Sequence, residues 1–194
     1  MRKIKLRTLP ILLGGFLAIN CSVKEVQSTT MLRLNTEQLT KKSKEIIQGK
    51  VVKKQSEWNQ DRTRINTMIT IKVDRSIKGR LGKEEVVIRQ PGGVVGDVGL
   101  KVTGFPDFQE DEEVLVFLRK GEKSFRKVVG LTQGKFRIIT DKETGRKILD
   151  MTGRNKGLRT IDKKEEPAKT KDNGKEEKAF LEDFINSIKA IMNE

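Results

Sequence analysis

Apolar and polar residues alternate with a period of two through the middle of the chain. The clearest example is residues 65–77, where Ile69 and Ile71 fall on one face and Thr70 and Lys72 on the other. Such alternation predicts a β-strand with one buried face and one solvated face. Shorter apolar runs bounded by turn residues predict further strands at 46–53, 85–89, 113–119, 125–131, 135–140 and 146–151.

Two segments show helical spacing instead. Asn35 is a good N-cap and Gln38 completes a capping box, so a short helix is predicted from there to about Ser43. Residues 179–192 carry apolar side chains on one helical face. This amphipathic helix has three alternative docking places, namely its own domain, a partner or a membrane surface. Its mixed charges argue against an anionic membrane, and packing on its own domain is favoured.

The predicted elements fit a mainly β fold. A small OB-like antiparallel barrel of five strands, with an added hairpin and one flanking N-terminal helix, suits them best because closure leaves no exposed sheet edge. The predicted organisation is a signal peptide with a lipobox at 1–21, a spacer at 22–31, the barrel domain at 32–152, a disordered linker rich in Lys and Glu at 153–178, and a separate C-terminal amphipathic helix at 179–193.

The N-terminal end has the layout of a secretory signal peptide. Basic residues precede an apolar run over 9–19, which is shorter than the ~20 residues that a membrane-spanning helix needs. Cys21, the only cysteine, follows Leu17-Ala18-Ile19-Asn20, which resembles a bacterial lipobox with Asn20 in place of the usual small residue. Two routes stay open, lipidation of Cys21 or ordinary cleavage nearby. Both predict an exported protein of the periplasm or cell envelope, and the first adds a lipid anchor in a membrane.

Composition narrows the chemistry further. The 194 residues include no histidine, which excludes Ser-His and Cys-His nucleophile pairs and ordinary zinc sites. The full chain has a net charge of +14, and removal of the four basic residues of the leader leaves +10. A basic chain favours anionic partners such as acidic lipids, envelope polysaccharide or nucleic acid. One cysteine cannot form an internal disulfide. No cofactor or metal is expected.

A long Gly-rich connection at residues 91–112 is the main candidate for a contact surface, since loops of this length are commonly functional. Its glycines have two interpretations. They form a binding loop whose backbone N–H groups meet an anion, or a crossover that needs positive φ angles. No Gly-Lys-Ser/Thr sequence follows, so the connection is not a P-loop. The candidate binding residues are Trp58, Arg89, Gln90, Pro91, Gly92, Gly93, Gly96 and Asp97.

An acidic cluster ends this connection at residues 107–113. Calcium accepts such oxygens, but the spacing matches no EF-hand, and a charged strand edge explains the cluster equally well. Asp97, Asp107 or Asp111 would be the acids of a carboxylate-based hydrolase, which needs two acids at a defined separation. Sequence alone does not supply that separation, so binding is favoured over catalysis.

Basic residues from Lys50 to Arg80 lie on the first two long predicted strands and their turns. OB barrels bind oligonucleotides or sugars on this kind of face. Single-strand binders add stacking aromatic side chains, and only Trp58 is nearby. Nucleic acid is therefore an unfavoured partner, and a solvated basic face is the default interpretation.

Part of the chain resembles the netrin-like family, which includes tissue inhibitors of metalloproteases. The resemblance covers residues 39–79 and rests on the capped helix and the segments Glu45-Ile-Ile-Gln-Gly-Lys-Val-Val52 and Ser76-Ile-Lys-Gly79. It implies an N-terminal OB fold. Inhibitors of this type place the amine of a mature N-terminal cysteine on the catalytic metal and brace it with disulfides. Those disulfides are missing here, because Cys21 has no partner cysteine.

A second resemblance covers most of residues 31–151. It rests on Arg89-Gln-Pro-Gly-Gly93, Gly104-Phe-Pro106, Asp111-Glu-Glu-Val-Leu-Val-Phe-Leu118 and Val129-Gly-Leu-Thr-Gln-Gly-Lys-Phe136. These segments are similar to a set of uncharacterised bacterial exported proteins. The resemblance implies a compartment and a fold, and it implies no activity.

The sequence therefore predicts a non-catalytic, exported binding module of the bacterial cell envelope. Its partner would be an unknown envelope protein or polymer, with membrane attachment by a lipid anchor if Cys21 is modified. The alternatives are an enzyme of unknown type, such as a carboxylate-based hydrolase, and a protease-inhibitor-like OB domain.

Overall fold

The computed structural model describes residues 30–79, 84–150, 159–161 and 179–194. The predicted signal peptide, the lipobox with Cys21 and most of the predicted linker lie outside these residues. The strands are β1 (Thr30–Leu32), β2 (Glu45–Trp58), β3 (Ile65–Lys78), β4 (Glu85–Pro91), β5 (Gly93–Val95), β6 (Val98–Leu100), β7 (Glu113–Lys120), β8 (Arg126–Val128), β9 (Lys135–Thr140), β10 (Lys147–Asp150), β11 (Arg159–Ile161) and β12 (Ala179–Phe180). The helices are α1 (Thr36–Lys42), the 3-10 turn η1 (Leu131–Gly134) and α2 (Leu181–Asn193).

Five strands close into a barrel. β2, β3 and β4 form an antiparallel meander, and β7 pairs with the free edge of β2. β8 then pairs antiparallel with β7 and parallel with β4, which completes the ring β2-β3-β4-β8-β7. The predicted fold class, a mainly β protein with a small OB-like barrel, is confirmed.

The sheet continues beyond the barrel because β7 shares one edge between two partners. Its N-terminal half pairs with β9 through Val114–Val116, and its C-terminal half pairs with β8 through Leu118–Lys120. β9 leads to β10 and then to β12. The β9–β10 pair is the added hairpin that the sequence predicts. β1 and β11 form a separate two-stranded parallel sheet, so part of the predicted linker is a strand.

β2 is longer than the sequence predicts, and it bends. The apolar pattern ends near Lys53, but the strand continues through exposed and half-buried polar residues to Trp58, held by its pairing with β3. Three register shifts interrupt that pairing. Gly49 lies at one of them, where a Cβ atom would be 2.2 Å from the carbonyl oxygen of Lys72. A side chain at Gly49 would push β2 and β3 apart at the bend.

Two apolar cores lie on opposite faces of β2 and β7. Val114, Val116 and Leu118 point into the barrel, whereas Leu115 and Phe117 point outward, and all are fully buried. This is why β7 is apolar at every position from Val114 to Leu118 rather than alternating. The barrel core consists of Ile47, Val51, Ile69, Ile71, Val86, Ile88, Phe108, Val114, Val116 and Leu118. The outer core consists of Leu39, Ile46, Leu115, Phe117, Val129, Phe136, Ile138, Leu149, Leu181, Ile185 and Ile188.

The two helices cover the outer core. The capping box predicted for α1 is confirmed, with the Asn35 side chain accepting a hydrogen bond from the Gln38 backbone N–H at 2.8 Å. α2 buries Leu181, Ile185 and Ile188 in the outer core, so the predicted amphipathic helix packs on the barrel domain. An ion pair between Arg75 and Glu182 (2.8 Å) fixes its first turn against β3. Within the described residues, no helix is long and apolar enough to cross a membrane.

The connection between β4 and β7 is partly structured. It begins with the hairpin β5–β6, which packs against β2 and β3, and then runs across one end of the barrel. On that path Phe108 enters the barrel core and is fully buried. Hydrogen bonds between Asp111 and Val51 and between Val51 and Glu112 attach the end of the connection to β2. The segment therefore plugs one end of the barrel.

We expect Gly49→Ala to lower the free energy of unfolding by about 3 kcal/mol, because the added methyl overlaps the Lys72 carbonyl. Gly99→Ala is the matched control, since a Cβ there meets only the Val94 side chain at 3.7 Å. That change should alter the same free energy by less than ~0.5 kcal/mol. Urea unfolding followed by circular dichroism measures both, and equal midpoints would contradict the close approach at Gly49.

Candidate functional site

The barrel has an incomplete seam between β4 and β8. The parallel pairing of these strands joins Ile88 with Arg126. β4 then continues through Arg89, Gln90 and Pro91, which pair with β3 on one edge and with no other strand among the described residues on the other. A surface cleft opens along this unpaired edge. The seam thus places three of the candidate binding residues in one depression.

We call this depression the seam cleft. It consists of two adjoining hollows of about 410 Å³ and about 270 Å³ that share Arg89, Gln90, Pro91 and Lys127. The larger hollow is mostly polar and the smaller has more apolar walls. The other lining residues are Asn59, Asp61, Thr63, Arg64, Asn66, Glu122 and Phe125 in the larger hollow, and Ile88, Phe105, Arg119, Val128 and Leu131 in the smaller.

Arg126, the residue of β8 that pairs with Ile88 of β4, also ties β8 to the start of β2. The Arg126 guanidinium makes a two-pronged ion pair with the Glu45 carboxylate at the start of β2, with one contact of 2.8 Å. Both side chains are largely buried, so the pair is a firm tie. At the cleft, β4 and β8 are linked by the Arg89 guanidinium, which lies 5.7 Å from the centre of the Phe125 ring.

Positive charge is concentrated around the seam cleft and is only partly neutralised. Glu122 lies 3.3 Å from the Lys127 ammonium and 3.9 Å from the Arg89 guanidinium, so one carboxylate serves two cations. The side chains of Arg64 and Arg119 make no ion pair within the described part of the chain. The cleft therefore holds more positive than negative charge.

The larger hollow is preorganised by the turn between β2 and β3. The Asn59 side-chain oxygen accepts hydrogen bonds from the backbone N–H groups of Thr63 (2.8 Å) and Arg64 (2.9 Å), and its amide donates to the Thr63 hydroxyl. Arg62 adopts a left-handed conformation (φ 52°) within the same turn. Asn59 thus fixes the backbone from which the Arg64 side chain reaches the cleft.

Gly92 and Gly93 take a structural role beside the cleft. Both have positive φ values, 97° and 134°, and a Cβ on Gly93 would lie 2.2 Å from the Ser56 hydroxyl oxygen and 2.5 Å from that of Thr67. The Thr67 hydroxyl donates a hydrogen bond to the Gly92 carbonyl at 2.6 Å. Of the two interpretations of these glycines, the geometry favours the crossover that needs positive φ angles.

The remaining candidate residues lie around the cleft or away from it. Gly96 and Asp97 form the exposed turn of the β5–β6 hairpin and do not line the cleft. Trp58 is half-buried at the end of β2, directly before Asn59. The hairpin also exposes apolar side chains, with Val94 67% and Val98 50% accessible.

Sequence reasoning missed two cations of the cleft. Arg119 and Lys127 come from β7 and β8, and both line the smaller hollow. The available signal was the abrupt change from apolar to basic residues at the end of β7. That change marks the end of a strand, but it does not show that β4 lies next to these basic residues in the fold.

The side chains of the acidic cluster at residues 107–113 form ion pairs with lysines. Asp107 pairs with Lys54 (2.9 Å), Asp111 with Lys50 (2.8 Å) and Glu113 with Lys147 (2.7 Å), and Glu112 pairs with Lys135 (2.6 Å). Over the described ranges, no group of three or more His, Cys, Asp or Glu side chains is arranged to hold a metal ion. The cluster acts as a charged strand edge that binds neighbouring strands together.

The same lysines set the protonation of the exposed acids. Partial burial acts to raise the pKa of Asp107, but the hydrogen bonds from Lys54 and Gln109 and the charges of Lys54 and Lys135 together outweigh it, so the pKa of Asp107 is lowered. The hydrogen bond and charge of Lys50 lower the pKa of Asp111. Both carboxylates are therefore held in the ionised form.

Glu112 and Lys135 form the most buried ion pair of the cluster. Their side chains are 3% and 14% exposed, and the other Glu112 oxygen accepts the Gln109 backbone N–H at 3.0 Å. The Lys135 ammonium also donates to the Asp107 carbonyl and lies 5.0 Å from the centre of the Phe108 ring. Burial lowers the pKa of Lys135, although Glu112 acts to raise it. This pair ties β9 to the segment that plugs the barrel.

Comparison with known proteins adds no family assignment: no protein-family model matches the chain, and no curated protein matches it.

We expect Glu112→Gln to lower the free energy of unfolding by about 3 kcal/mol, because Lys135 would remain buried without its counter-charge. Adding Lys135→Met should recover part of that loss. Glu37→Gln breaks the exposed pair with Lys41 and should leave the urea midpoint almost unchanged. Urea midpoints for this set measure the coupling, and a midpoint for Glu112→Gln equal to that of the Glu37 control would refute the buried tie.

Proposed function

We propose that this protein is an exported, non-catalytic binding module of the bacterial cell envelope, and that its contact surface is the seam cleft with the adjoining β5–β6 hairpin. The observation that carries the proposal is the unpaired edge of β4 at Arg89–Pro91. There a closed barrel presents a polar, positively charged depression beside an exposed apolar hairpin. Surfaces of this kind are typical of recognition sites.

The packing of the barrel supports a surface site rather than an internal one. Phe108 and the aliphatic side chains of the barrel core are fully buried, and they fill the interior. A small barrel filled in this way leaves binding to its outer face and its connecting loops. The seam cleft is where those loops meet.

The state of the carboxylates supports binding over hydrolysis. A catalytic acid works best with a pKa raised toward neutrality. Asp107 and Asp111 have lowered pKa values because they are paired with lysines, and Asp97 lies on an exposed hairpin turn. The carboxylate-based hydrolase therefore has less support than the binding module. The inhibitor alternative depends on an N-terminal cysteine, and Cys21 lies outside the described residues.

Export and anchorage rest on the N-terminal sequence. A basic start, a short apolar run and Cys21 directly after it are the features that support a leader and a lipid anchor. The described residues begin at Thr30 and the first barrel strand, β2, begins at Glu45, so a short segment would separate the barrel from a modified Cys21. An anchored barrel would meet envelope components near the membrane surface.

Labelling with a radioactive or clickable fatty acid tests the anchor. In a bacterial host that processes lipoproteins, we expect the parent chain to incorporate the label and to fractionate with membranes. Cys21→Ala should abolish incorporation, because the thiol that accepts the lipid is removed. Ordinary cleavage would give an unlabelled, exported product in both cases, and an unprocessed chain in the cytosol would contradict export itself.

Retention of envelope components tests the contact surface. Gly93→Ala should displace the β5–β6 hairpin, because its Cβ would overlap the hydroxyls of Ser56 and Thr67. We expect the immobilised parent chain to retain a defined envelope component and the Gly93→Ala chain to lose it. Gly99→Ala in the same hairpin leaves the packing unchanged and should retain it. A parent chain that retains nothing beyond an unrelated basic protein would contradict the binding role.

A further inference from the structure

We infer that the seam cleft binds an anionic polysaccharide of the envelope, recognised through carboxylate or phosphate groups on its sugars. This inference rests on the proposed function, because it names the ligand class of the same site. It depends on three features of the cleft: unpaired guanidinium groups, a preorganised polar hollow and neighbouring apolar walls.

The guanidinium groups supply the charge recognition. Arg64 lines the larger hollow and Arg119 the smaller, and neither makes an ion pair within the described residues. Arg89 lies between them and is 3.9 Å from Glu122. Planar guanidinium groups bind carboxylate and phosphate oxygens in a two-pronged manner. Cations spread across two adjoining hollows fit a ligand with repeated negative groups better than a single small anion.

The polar hollow supplies recognition of hydroxyl groups. The Asn66 side chain makes no hydrogen bond within the described part of the chain, and the Thr63 hydroxyl, which accepts a hydrogen bond from Asn59, keeps its own proton to donate. Both line the larger hollow with Arg64 and Asp61. Amide, hydroxyl and carboxylate side chains on a fixed turn are the donors and acceptors that sugar hydroxyls require. An acidic peptide such as polyglutamate could meet the guanidinium groups, but it carries no hydroxyl groups for these donors and acceptors.

The apolar walls accommodate the carbon faces of the rings. Phe125 lies in the larger hollow, and Phe105, Pro91 and Leu131 line the smaller. Sugars carry apolar C–H faces that pack on such surfaces while their hydroxyls point to polar groups. A volume of about 410 Å³ in the larger hollow is of the size of ordinary small-ligand sites. The cleft therefore matches one charged sugar in the larger hollow and the adjoining part of the polymer in the smaller.

Titration of the full chain with defined polymers tests the ligand class. The probes are oligogalacturonate (carboxylate), phosphomannan (phosphate), dextran (neutral) and polyglutamate (acidic peptide). Calorimetry gives the affinity, and the fluorescence of Trp58, the single tryptophan, reports on the neighbouring cleft. We expect one or both anionic saccharides to bind in a salt-dependent manner, with dextran and polyglutamate much weaker.

Charge-removal variants locate the site. Arg64→Gln with Arg119→Gln should weaken saccharide binding by about tenfold per guanidinium, and the urea midpoint should not change because neither side chain makes an ion pair with a described residue. Lys53→Gln with Lys72→Gln is the matched control, since both lysines are exposed and outside the cleft, and it should change affinity by no more than about twofold.

Glu122→Gln should tighten binding by about threefold, because it frees Arg89 and Lys127.

The outcomes separate this inference from the binding role itself. Absence of saccharide binding, equal binding of dextran, tighter binding of polyglutamate, or equal losses in the arginine variant and its lysine control would each overturn the ligand class. If the arginine variant still retains an envelope component as the parent does, the ligand class is wrong and the proposed binding function stands. If the parent chain itself retains no envelope component, the proposed binding function is wrong as well.

Discussion

The close approach of β2 to β3 at Gly49 is the constraint on which the rest of the structure depends. A strand that pairs with β3 along its whole length and with β7 along its first half must bend between the two halves. At the bend, the backbone of β2 lies so close to the Lys72 carbonyl that a Cβ atom at residue 49 would overlap it, and only glycine fits there. Because β2 bends, β7 can lie against it and receive β8, and the barrel closes.

Closure in this manner determines where the contact surface lies. β8 is short, is bound to β2 through Arg126 and Glu45, and pairs with β4 at Ile88. The last residues of β4 keep an open edge, and the hollows form along that edge. The segment that carries Phe108 adjoins the cleft, because Phe105 lines the smaller hollow and the Gln90 amide donates a hydrogen bond to the Pro106 carbonyl; Phe108 fills the barrel core, and Glu112 and Lys135 tie the segment to β9. A filled barrel core and an open seam therefore leave the edge of β4 at Arg89–Pro91 without a second strand partner among the described residues.

Local signals predicted the parts of the fold that depend on neighbouring residues. Asn35 and Gln38 specify the start of α1, and the alternation from Ile65 specifies β3, because each pattern works within a few residues. The extension of β2 to Trp58 was missed because it depends on β3 rather than on its own apolar residues. Arg89, Gln90 and Pro91 were predicted from their position before a Gly-rich connection. Arg119 and Lys127 were missed because they join the cleft through strand pairings between distant parts of the chain.

The distribution of paired charge explains why a basic chain presents one distinctive cationic site. The basic residues of β2 and β3 looked like a binding face in the sequence, yet Lys50 and Lys54 are paired with the acidic cluster and Arg75 with Glu182. Their charge holds the barrel, its plug and α2 together. Arg64 and Arg119 have no such partner within the described residues, and they line the cleft; Lys53 and Lys72 also make no ion pair there, but they are exposed and outside the cleft. A cation that is already paired gains little from a new anion, whereas an unpaired guanidinium in a partly enclosed cleft gains a full charge-assisted hydrogen bond. The proposed recognition therefore depends on charges that are both unpaired and placed in the cleft, and the density of basic residues along the sequence is a poor guide to them.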